Sequence, residues 1–330
     1  MKKYAIIIFL LLVSLYCSKN KTPVSPSEIS GIAIYLLKDS NINVEQALKS
    51  DINSLNLQSK PWLSSKDISI YDFSTHFIYL KSDKVSYFNK IEDNQNLGLL
   101  PFVLVADNQR IYIGAIYTVL MAYIPPCPTI NCVYPFGEYF PDDVITIINP
   151  IPPGEEDEIL NDERIKNALI ESSIYHAGLN IQLDSVFIVE NLDTSTVQYT
   201  FSVKNNDKDN LYIPDSDLMG SELFHCYSGG VVFRNENGES TWAIYRAKQS
   251  PDTLGVWNPS WFTKLSSKKE LKRTVMLKGY PKIKNDVYTC NFDYGGIFKI
   301  ESHNRLLSDG RYWLGYILSN TITFEVKEYK

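Results

Sequence analysis

Alternating apolar and polar residues recur along most of the chain and predict β-strands more often than helices. The clearest case is residues 67–81, DISIYDFSTHFIYLK, where alternate positions fall on opposite faces of a strand. One face carries Tyr71, Phe73, Thr75, Phe77 and Tyr79. The other face carries Asp72, Ser74 and His76. The pattern predicts a strand with an aromatic inner face and a polar outer face.

Residues 30–150 combine one helical pattern with several strand patterns. The segment 43–55 has apolar residues near helical spacing, and Asn43 with Gln46 three residues later forms a capping-box pattern. Residues 101–117 form two β-rich runs around Asp107-Asn108, a pair that tolerates the left-handed geometry of a hairpin turn. We therefore expect a small α+β domain in which the helix covers one face of a sheet.

Residues 151–179 have the pattern of a linker followed by a helix. Prolines and a glycine interrupt strand pairing, and a run of acidic residues follows them. Asn161 is expected to cap a helix over residues 162–177, and Gly178 is expected to end it. We interpret the acidic run as a solvated linker and helix start rather than as a calcium site.

Residues 180–330 contain many short strand patterns and no long helical one. One of these patterns is FHCYSGGVVFRN, residues 224–235. Turn signals separate the patterns at Asn206-Asp207, Asn237-Gly238 and Ser319-Asn320. Short strands at this spacing predict an antiparallel β-sandwich of the immunoglobulin-like (Ig-like) kind.

The first seventeen residues differ from everything after them. Lys2 and Lys3 precede an apolar run over residues 5–13, and Cys17 follows shortly afterwards. The run is too short to span a bilayer, which takes roughly 20 apolar residues, and the pattern is typical of a secretory signal peptide. Residues 18–29 are polar with two prolines and predict a flexible tether.

The signal with its terminal cysteine resembles the lipobox of bacterial lipoproteins. The resemblance implies that Cys17 is lipidated and becomes the new N-terminus, so that the membrane is one partner of the protein. Because Tyr16 stands where that family prefers a small residue, ordinary cleavage and an uncleaved anchor are the alternatives. The family retains proteins in the inner membrane by an Asp after the cysteine. Ser18 therefore favours the outer membrane or the cell surface.

Two further resemblances concern the folded part of the chain. Residues 60–120, from SSKDI to PFVLVADNQRIYIGAIY, resemble the periplasmic head of the Sec accessory translocase. Residues 180–330 resemble Ig-like domains of bacterial surface proteins and are similar to the sandwich of the intracellular proteinase inhibitor type. The resemblances imply an α+β module followed by a sandwich, both working outside the cytoplasm. Neither export activity nor an inhibitory loop can be transferred to residues of this chain.

Composition and charge limit the function classes. Hydrophobic residues make up 44% of the chain, which is enough for a core. The chain has 32 basic and 38 acidic residues, and loss of Lys2 and Lys3 with the signal leaves 30 against 38, a net charge of −8. Nucleic-acid binding requires a basic surface, so we expect no nucleic-acid partner.

The remaining cysteines suggest disulfides, since an even number in an exported chain favours pairing. They are Cys127, Cys132, Cys226 and Cys290. We favour Cys127 with Cys132, in a proline-rich loop, and Cys226 with Cys290, between two strands of the sandwich. Other pairings and four buried free thiols remain open. A zinc site is disfavoured because no histidine lies at ligand spacing.

No motif predicts a catalytic, metal or cofactor site. Side chains at alternate positions of one strand do not converge, so Asp72, Ser74 and His76 are not expected to form a triad. The other histidines, His176, His225 and His303, have no acidic or cysteine partner at a spacing that would recur in a metal site. The pairs Asp207/Asp209 and Asp215/Asp217 are interpreted as turn residues rather than calcium ligands. No phosphate-binding glycine loop or dinucleotide motif occurs.

The remaining candidate is the loop at residues 255–262, GVWNPSWF. Exposed Trp257, Trp261 and Phe262 could bind a sugar or a protein partner, although the same rings could instead plug the open edge of a sandwich. We therefore expect a non-enzymatic cell-envelope lipoprotein that binds or scaffolds a protein or glycan. The alternative is an envelope hydrolase that uses the polar face of residues 72–76.

Overall fold

The computed structural model describes residues 30–85, 99–118, 125–133, 141–149, 157–190, 193–241, 256–296 and 298–326. The predicted signal peptide, Cys17 and the tether lie outside these ranges, and so does Gly255 of the aromatic loop. The described chain is rich in β-strands arranged in several mostly antiparallel sheets, which confirms the predicted β-rich character.

A nine-stranded sheet organises the N-terminal unit, which we define as residues 30–176. Its strands are β1 (Ile32–Leu36), β2 (Leu63–Ser64), β3 (Ile68–Asp72), β4 (Phe77–Leu80), β5 (Leu100–Ala106), β6 (Gln109–Thr118), β7 (Thr129–Val133), β8 (Val144–Ile148) and β9 (Tyr175–His176). Their spatial order is β2-β1-β5-β6-β7-β8-β4-β3-β9. The β6–β7 and β3–β9 pairs are parallel. The sheet therefore extends beyond the predicted boundary at residue 150.

Local sequence signals account for two features of this unit. Helix α1 (Val44–Leu48) begins with the predicted capping box, in which the Asn43 side chain accepts from Gln46 N and the Gln46 side chain accepts from Asn43 N. The β5–β6 hairpin turns at Asp107 and Asn108, which both have positive φ, +44° and +64°. Both predictions are confirmed. They could be made from the sequence because each feature depends on neighbouring residues alone.

The predicted helix after the linker is shorter than expected. Helices α2 (Asp157–Leu160) and α3 (Glu163–Glu171) lie there, and the cap of α3 is Asp162 rather than Asn161. The helix ends because Ser173 adopts a positive φ of +62° and the chain then enters β9. Three residues of α3 pack in the core of the N-terminal unit: Ile165, Ala168 and Leu169.

The C-terminal unit, residues 179–326, contains four smaller sheets. Its strands are β10 (Leu179–Glu190), β11 (Thr194–Asn205), β12 (Leu211–Pro214), β13 (Val232–Asn235), β14 (Ser240–Thr241), β15 (Phe262–Leu265), β16 (Glu270–Pro281), β17 (Val287–Asn291), β18 (Asp293–Gly296), β19 (Leu306–Leu307), β20 (Gly310–Tyr312), β21 (Gly315–Leu318) and β22 (Ile322–Glu325). The sheets have the orders β10-β11-β16, β15-β12-β20-β19, β14-β13-β17-β22 and β18-β21. The β12–β20 pair is parallel, which departs from a purely antiparallel sandwich.

Part of the predicted strand at residues 224–235 is helical. Helices α4 (Ser216–Met219) and α5 (Ser221–Tyr227) precede β13, and α6 (Ser302–Arg305) follows later in the chain. The Asp215 side chain accepts from Asp217 N and caps α4, which starts the helical segment. Helix α5 ends at Tyr227, and Ser228 is its C-cap. Aromatic residues of high β-propensity gave the wrong assignment because tertiary packing overrides propensity.

The cysteines in the described part of the chain are free thiols. Cys226 lies on α5 and is half-buried, while Cys290 lies in β17 and is fully buried in the core. The predicted Cys226–Cys290 bridge is therefore not formed, and Cys226 lies on a helix rather than on the strand predicted for it. Cys127 is also free and buried. The side chain of its predicted partner, Cys132, lies outside the described residues.

Strand β4 contributes to both main cores and joins the two units. Ile78 and Leu80 pack in the core of the N-terminal unit. Phe77 and Tyr79, on the opposite face, pack with the C-terminal unit in its core. The strand is buried at every position because a different unit covers each of its faces. The two units therefore share an apolar interface across the β3–β4 end of the large sheet.

Candidate functional site

A buried ion network joins the two units beside β3. Arg311 of β20 donates from Nη2 to Asp72 Oδ2 at 2.6 Å and to Asp207 Oδ2 at 3.0 Å. Asp72 is the last residue of β3, whereas Asp207 lies in the turn between β11 and β12. The side chain of Arg311 is only 2% exposed, and both carboxylates are fully buried. The opposite charges compensate for one another where water cannot solvate them.

His176 at the end of β9 extends this network. Its Nδ1 atom lies 3.1 Å from Asp207 Oδ1 and 3.5 Å from Asp209 Oδ2. Because an ionised carboxylate can only accept, Nδ1 carries the proton in this contact. Burial raises the pKa of Asp207, but the contacts with His176 and Arg311 outweigh burial and hold this pKa below its ordinary value. Asp207 is thus charged and central to the network.

A second buried ion pair also lies close to Tyr79. Arg305 of α6 pairs with Asp143, which precedes β8 of the N-terminal unit, through two hydrogen bonds. The Arg305 guanidinium lies 4.6 Å from the centre of the Tyr79 ring, and that of Arg311 lies 5.8 Å from it. Two buried arginines, their carboxylate partners and one aromatic ring therefore lie at the same interface.

The network includes a grouping that could be considered for a metal ion. His176, Asp207 and Asp209 place possible ligand atoms within 4.8 Å of one another. Arg311 already neutralises Asp207 at 3.0 Å and would repel a second cation at this carboxylate. The other pair considered from the sequence, Asp215 and Asp217, contacts Arg273 Nε at 2.7 and 3.0 Å. We interpret both groups as ion pairs of the fold.

The predicted polar outer face of residues 72–76 is wrong. β3 ends at Asp72, and the next four residues form a turn in which His76 has a positive φ of +54°. Ser74 Oγ donates to Asp72 Oδ1 at 2.6 Å, while His76 Nδ1 lies 3.2 Å from the Tyr71 hydroxyl. A triad requires the histidine between the serine and the acid. Here the serine contacts the acid directly, so the arrangement differs from that of a triad.

His76 gives the protein a pH-dependent stability that can be measured. Burial lowers its pKa from 6.5 to about 4. Between pH 6.5 and 4, His76 is therefore protonated in the unfolded chain but neutral in the folded chain. The free energy of unfolding falls as the pH is lowered through this window. We expect His76 to account for a loss of roughly 2–3 kcal/mol between these limits. Urea unfolding at a series of pH values measures this loss.

The variant His76→Asn isolates this contribution, since Asn tolerates the left-handed backbone. Its free energy of unfolding should vary less between pH 6.5 and 4 than that of the wild type. Replacing His303, which is exposed, by Asn serves as the control and should preserve the wild-type profile. Parallel profiles for the wild type and His76→Asn would contradict the assignment.

A cleft of about 530 Å³ opens beside this turn, between the two units. The turn at residues 73–76, the end of β8 and the end of α2 form its N-terminal side. β10, the turn after β11 and β21 form its C-terminal side. The described lining residues are Phe73, Ser74, Thr75, His76, Ile147, Ile148, Asn149, Leu160, Asn161, Ala177, Leu179, Asn180, Ile181, Asn206, Tyr316, Ile317 and Leu318. The cleft depends on both units and was not predicted from the sequence.

The aromatic loop predicted as a binding site lies elsewhere in the C-terminal unit. Phe262 is only 7% exposed and packs against Phe298 and Tyr312, so it belongs to the core. Trp257 is half-buried with its ring centre 5.3 Å from that of Tyr312. Trp261 is half-buried with its ring centre 6.0 Å from that of Tyr227. Both indoles thus pack against the core and keep part of their surface exposed, and their binding role stays a prediction.

Sequence reasoning missed the ion network because its members are far apart in the chain. His176 was judged to lack an acidic partner, yet it contacts an aspartate 31 residues away. Asp72 and Arg311 are separated by 239 residues. The sequence offers two signals. Asp72 ends a buried strand pattern, and Arg311 lies between a glycine and aromatic residues. Neither signal identifies the partner of the charged residue.

Within the described ranges, no helix has the length and apolar character needed to cross a membrane. The chain matches no protein-family model, and no curated protein matches it.

Proposed function

We propose that this protein is a lipid-anchored, non-enzymatic binding module of the cell envelope. The leader that ends in Cys17 supports anchorage, and the cleft between the two units supports binding. The observation that carries the proposal is the composition of this cleft. Its described lining has apolar, amide and hydroxyl groups but only one histidine, and the low pKa of His76, about 4, keeps that side chain neutral near pH 7.

The lining distinguishes binding from the hydrolase alternative. General acid–base hydrolysis needs a titratable pair within reach of the same substrate atoms. Asp72 and Asp207, which are the sequence neighbours of the lining residues Phe73 and Asn206, are bonded to Arg311 in the buried network. A pocket with apolar walls and a few hydrogen-bonding groups is the usual form of a ligand site. We therefore favour binding over catalysis.

The proposal extends to the finer fold and to location. We assign the N-terminal unit to the α+β class, since α1 and α3 cover opposite faces of its sheet. We assign the C-terminal unit to the Ig-like sandwiches, with β12–β20 as a parallel exception. Ser18 after Cys17 favours the outer membrane or the cell surface. The partner is a protein or a glycan of that compartment.

The test has one arm for anchorage and one for binding. Wild-type protein should fractionate with membranes and incorporate labelled fatty acid, whereas Cys17→Ser should lose the label. Detergent-extracted full-length protein should bind isolated envelopes of the source cell saturably. Fatty-acid label found on protein whose Cys17 is unmodified would contradict anchorage through Cys17. Failure to saturate, or turnover of envelope material by the pure protein, would contradict the binding module.

A further inference from the structure

Asparagine side chains surround the cleft between the two units. Asn149 follows β8, Asn161 lies between α2 and α3, Asn180 is in β10, and Asn206 begins the turn after β11. The amides thus come from four separate parts of the fold and converge on one space. Each carries two donor hydrogens and one acceptor oxygen.

Most of these amides are available to a ligand. The side chains of Asn161, Asn180 and Asn206 make no hydrogen bond to another side chain or backbone group of the described chain. Asn161 and Asn180 are exposed, and Asn206 is half-buried. Their position at the cleft, rather than any role in capping or turn formation, is what they share.

The cleft has no formal charge among its described lining residues. No Lys, Arg, Asp or Glu is present there, although the chain has 32 basic and 38 acidic residues. A charged ligand would lose its hydration without gaining a counter-charge from these described residues, which is costly. The occupant that suits these walls is therefore neutral.

Apolar surface lies directly beside the amides. Tyr316 and Leu318 of β21 are 42% and 47% exposed, and Ile148 at the end of β8 is 43% exposed. Phe73 adds a half-buried ring. A purely apolar ligand would cover these side chains but would leave the amides without partners, which costs binding energy. The ligand needs hydroxyl or amide groups along its rim and apolar faces on its rings.

We propose that the cleft binds a neutral oligosaccharide, an inference that rests on the proposed binding function. Sugar rings combine apolar C–H faces, which pack on aromatic and aliphatic side chains, with hydroxyl groups, which pair with amides. The cleft volume of about 530 Å³ lies within the range of small-ligand sites and has room for about two or three sugar rings. Tyr316 is the ring platform, and Asn180 and Asn206 are hydrogen-bonding residues.

The probes are short neutral oligosaccharides of hexose and N-acetylhexosamine units, with matched oligosaccharides that carry uronic acids. Calorimetry with detergent-extracted full-length protein should detect binding of at least one neutral probe and weaker binding of its acidic counterpart. Asn180→Asp introduces a negative charge on a side chain of the same shape, and Tyr316→Ala removes the aromatic ring on which a sugar would pack. Each should weaken binding at least about tenfold, a loss of about 1.4 kcal/mol.

Two substitutions outside the cleft provide matched controls. Asn285→Asp makes the same charge change at an exposed position, and Phe187→Ala removes an aromatic side chain that is 58% exposed. Both should bind like the wild type. Unchanged binding in Asn180→Asp and Tyr316→Ala would overturn the assignment to this cleft, and so would the absence of binding by every neutral probe.

Binding to isolated envelopes separates this inference from the proposed function. Periodate oxidation of envelope glycans should abolish saturable binding, whereas protease treatment should not. Protease-sensitive and periodate-resistant binding would overturn the oligosaccharide assignment while leaving the binding module intact. Absence of saturable binding to untreated envelopes would contradict the proposed function itself.

Discussion

Replacing Arg311 by methionine is expected to lower the free energy of unfolding by about 3–5 kcal/mol. The substitution keeps the length of an apolar stem but removes the cation that contacts Asp72 and Asp207 at 2.6 and 3.0 Å. Two buried carboxylates are then left close together without their counter-charge. Urea unfolding of the full-length protein at neutral pH measures the loss.

Two further variants separate charge from packing. Arg164 pairs with Asp162 at the surface, so Arg164→Met should cost at most about 1 kcal/mol. Adding Asp72→Asn and Asp207→Asn to Arg311→Met removes the uncompensated charges and should recover part of the stability. A loss for Arg311→Met no larger than that for Arg164→Met would contradict a network that holds the two units together.

The same network predicts the response to acid. The folded-state pKa of Asp207 is held below its unfolded value. Its contribution to stability is therefore present above about pH 4 and declines as the pH falls below this value. The Arg311→Met variant lacks one of the contacts that lower this pKa. Its free energy of unfolding should depend less on pH in the acid range than that of the wild type.

Features set by neighbouring residues were predictable from the sequence. The capping box of Asn43 and Gln46 and the hairpin turn at Asp107 and Asn108 involve groups at most a few residues apart. Alternation alone was misleading at residues 73–76. There the Asp72 carboxylate accepts from Ser74 N and Oγ, which turns the chain and ends β3. Asp72, which the alternation placed on a solvent-facing side, is buried because the C-terminal unit covers it.

The cleft and the ion network could not be predicted because they depend on how distant segments meet. The alternation over residues 67–81 predicted one amphipathic strand that included β4, yet both faces of β4 are covered. The packing of Phe77 and Tyr79 against the C-terminal unit brings the turn after β3 next to β10 and β20. The alternation correctly placed Phe77 and Tyr79 on one face. It could not show that the opposite polar residues also had a buried partner.

Gly178→Ala is expected to cost about 3–4 kcal/mol, because two separate penalties combine at this residue. Gly178 connects β9 to β10 with a positive φ of +64°, a conformation that disfavours any side chain. A Cβ atom there would lie 2.1 Å from Ser74 Oγ and 2.3 Å from Asp72 Oδ1. The methyl group must therefore displace the carboxylate that Arg311 binds.

A second glycine provides the control for backbone conformation alone. Gly238 has a φ of +79°, and nothing lies within 4 Å of the position of its Cβ. Gly238→Ala should therefore cost only about 1–2 kcal/mol. Adding Ser74→Ala to Gly178→Ala removes the closest contact and should restore part of the lost stability, which a double-mutant cycle in urea measures. Equal losses for the two glycine variants, or strict additivity of Gly178→Ala with Ser74→Ala, would contradict close packing of Gly178 against the buried network.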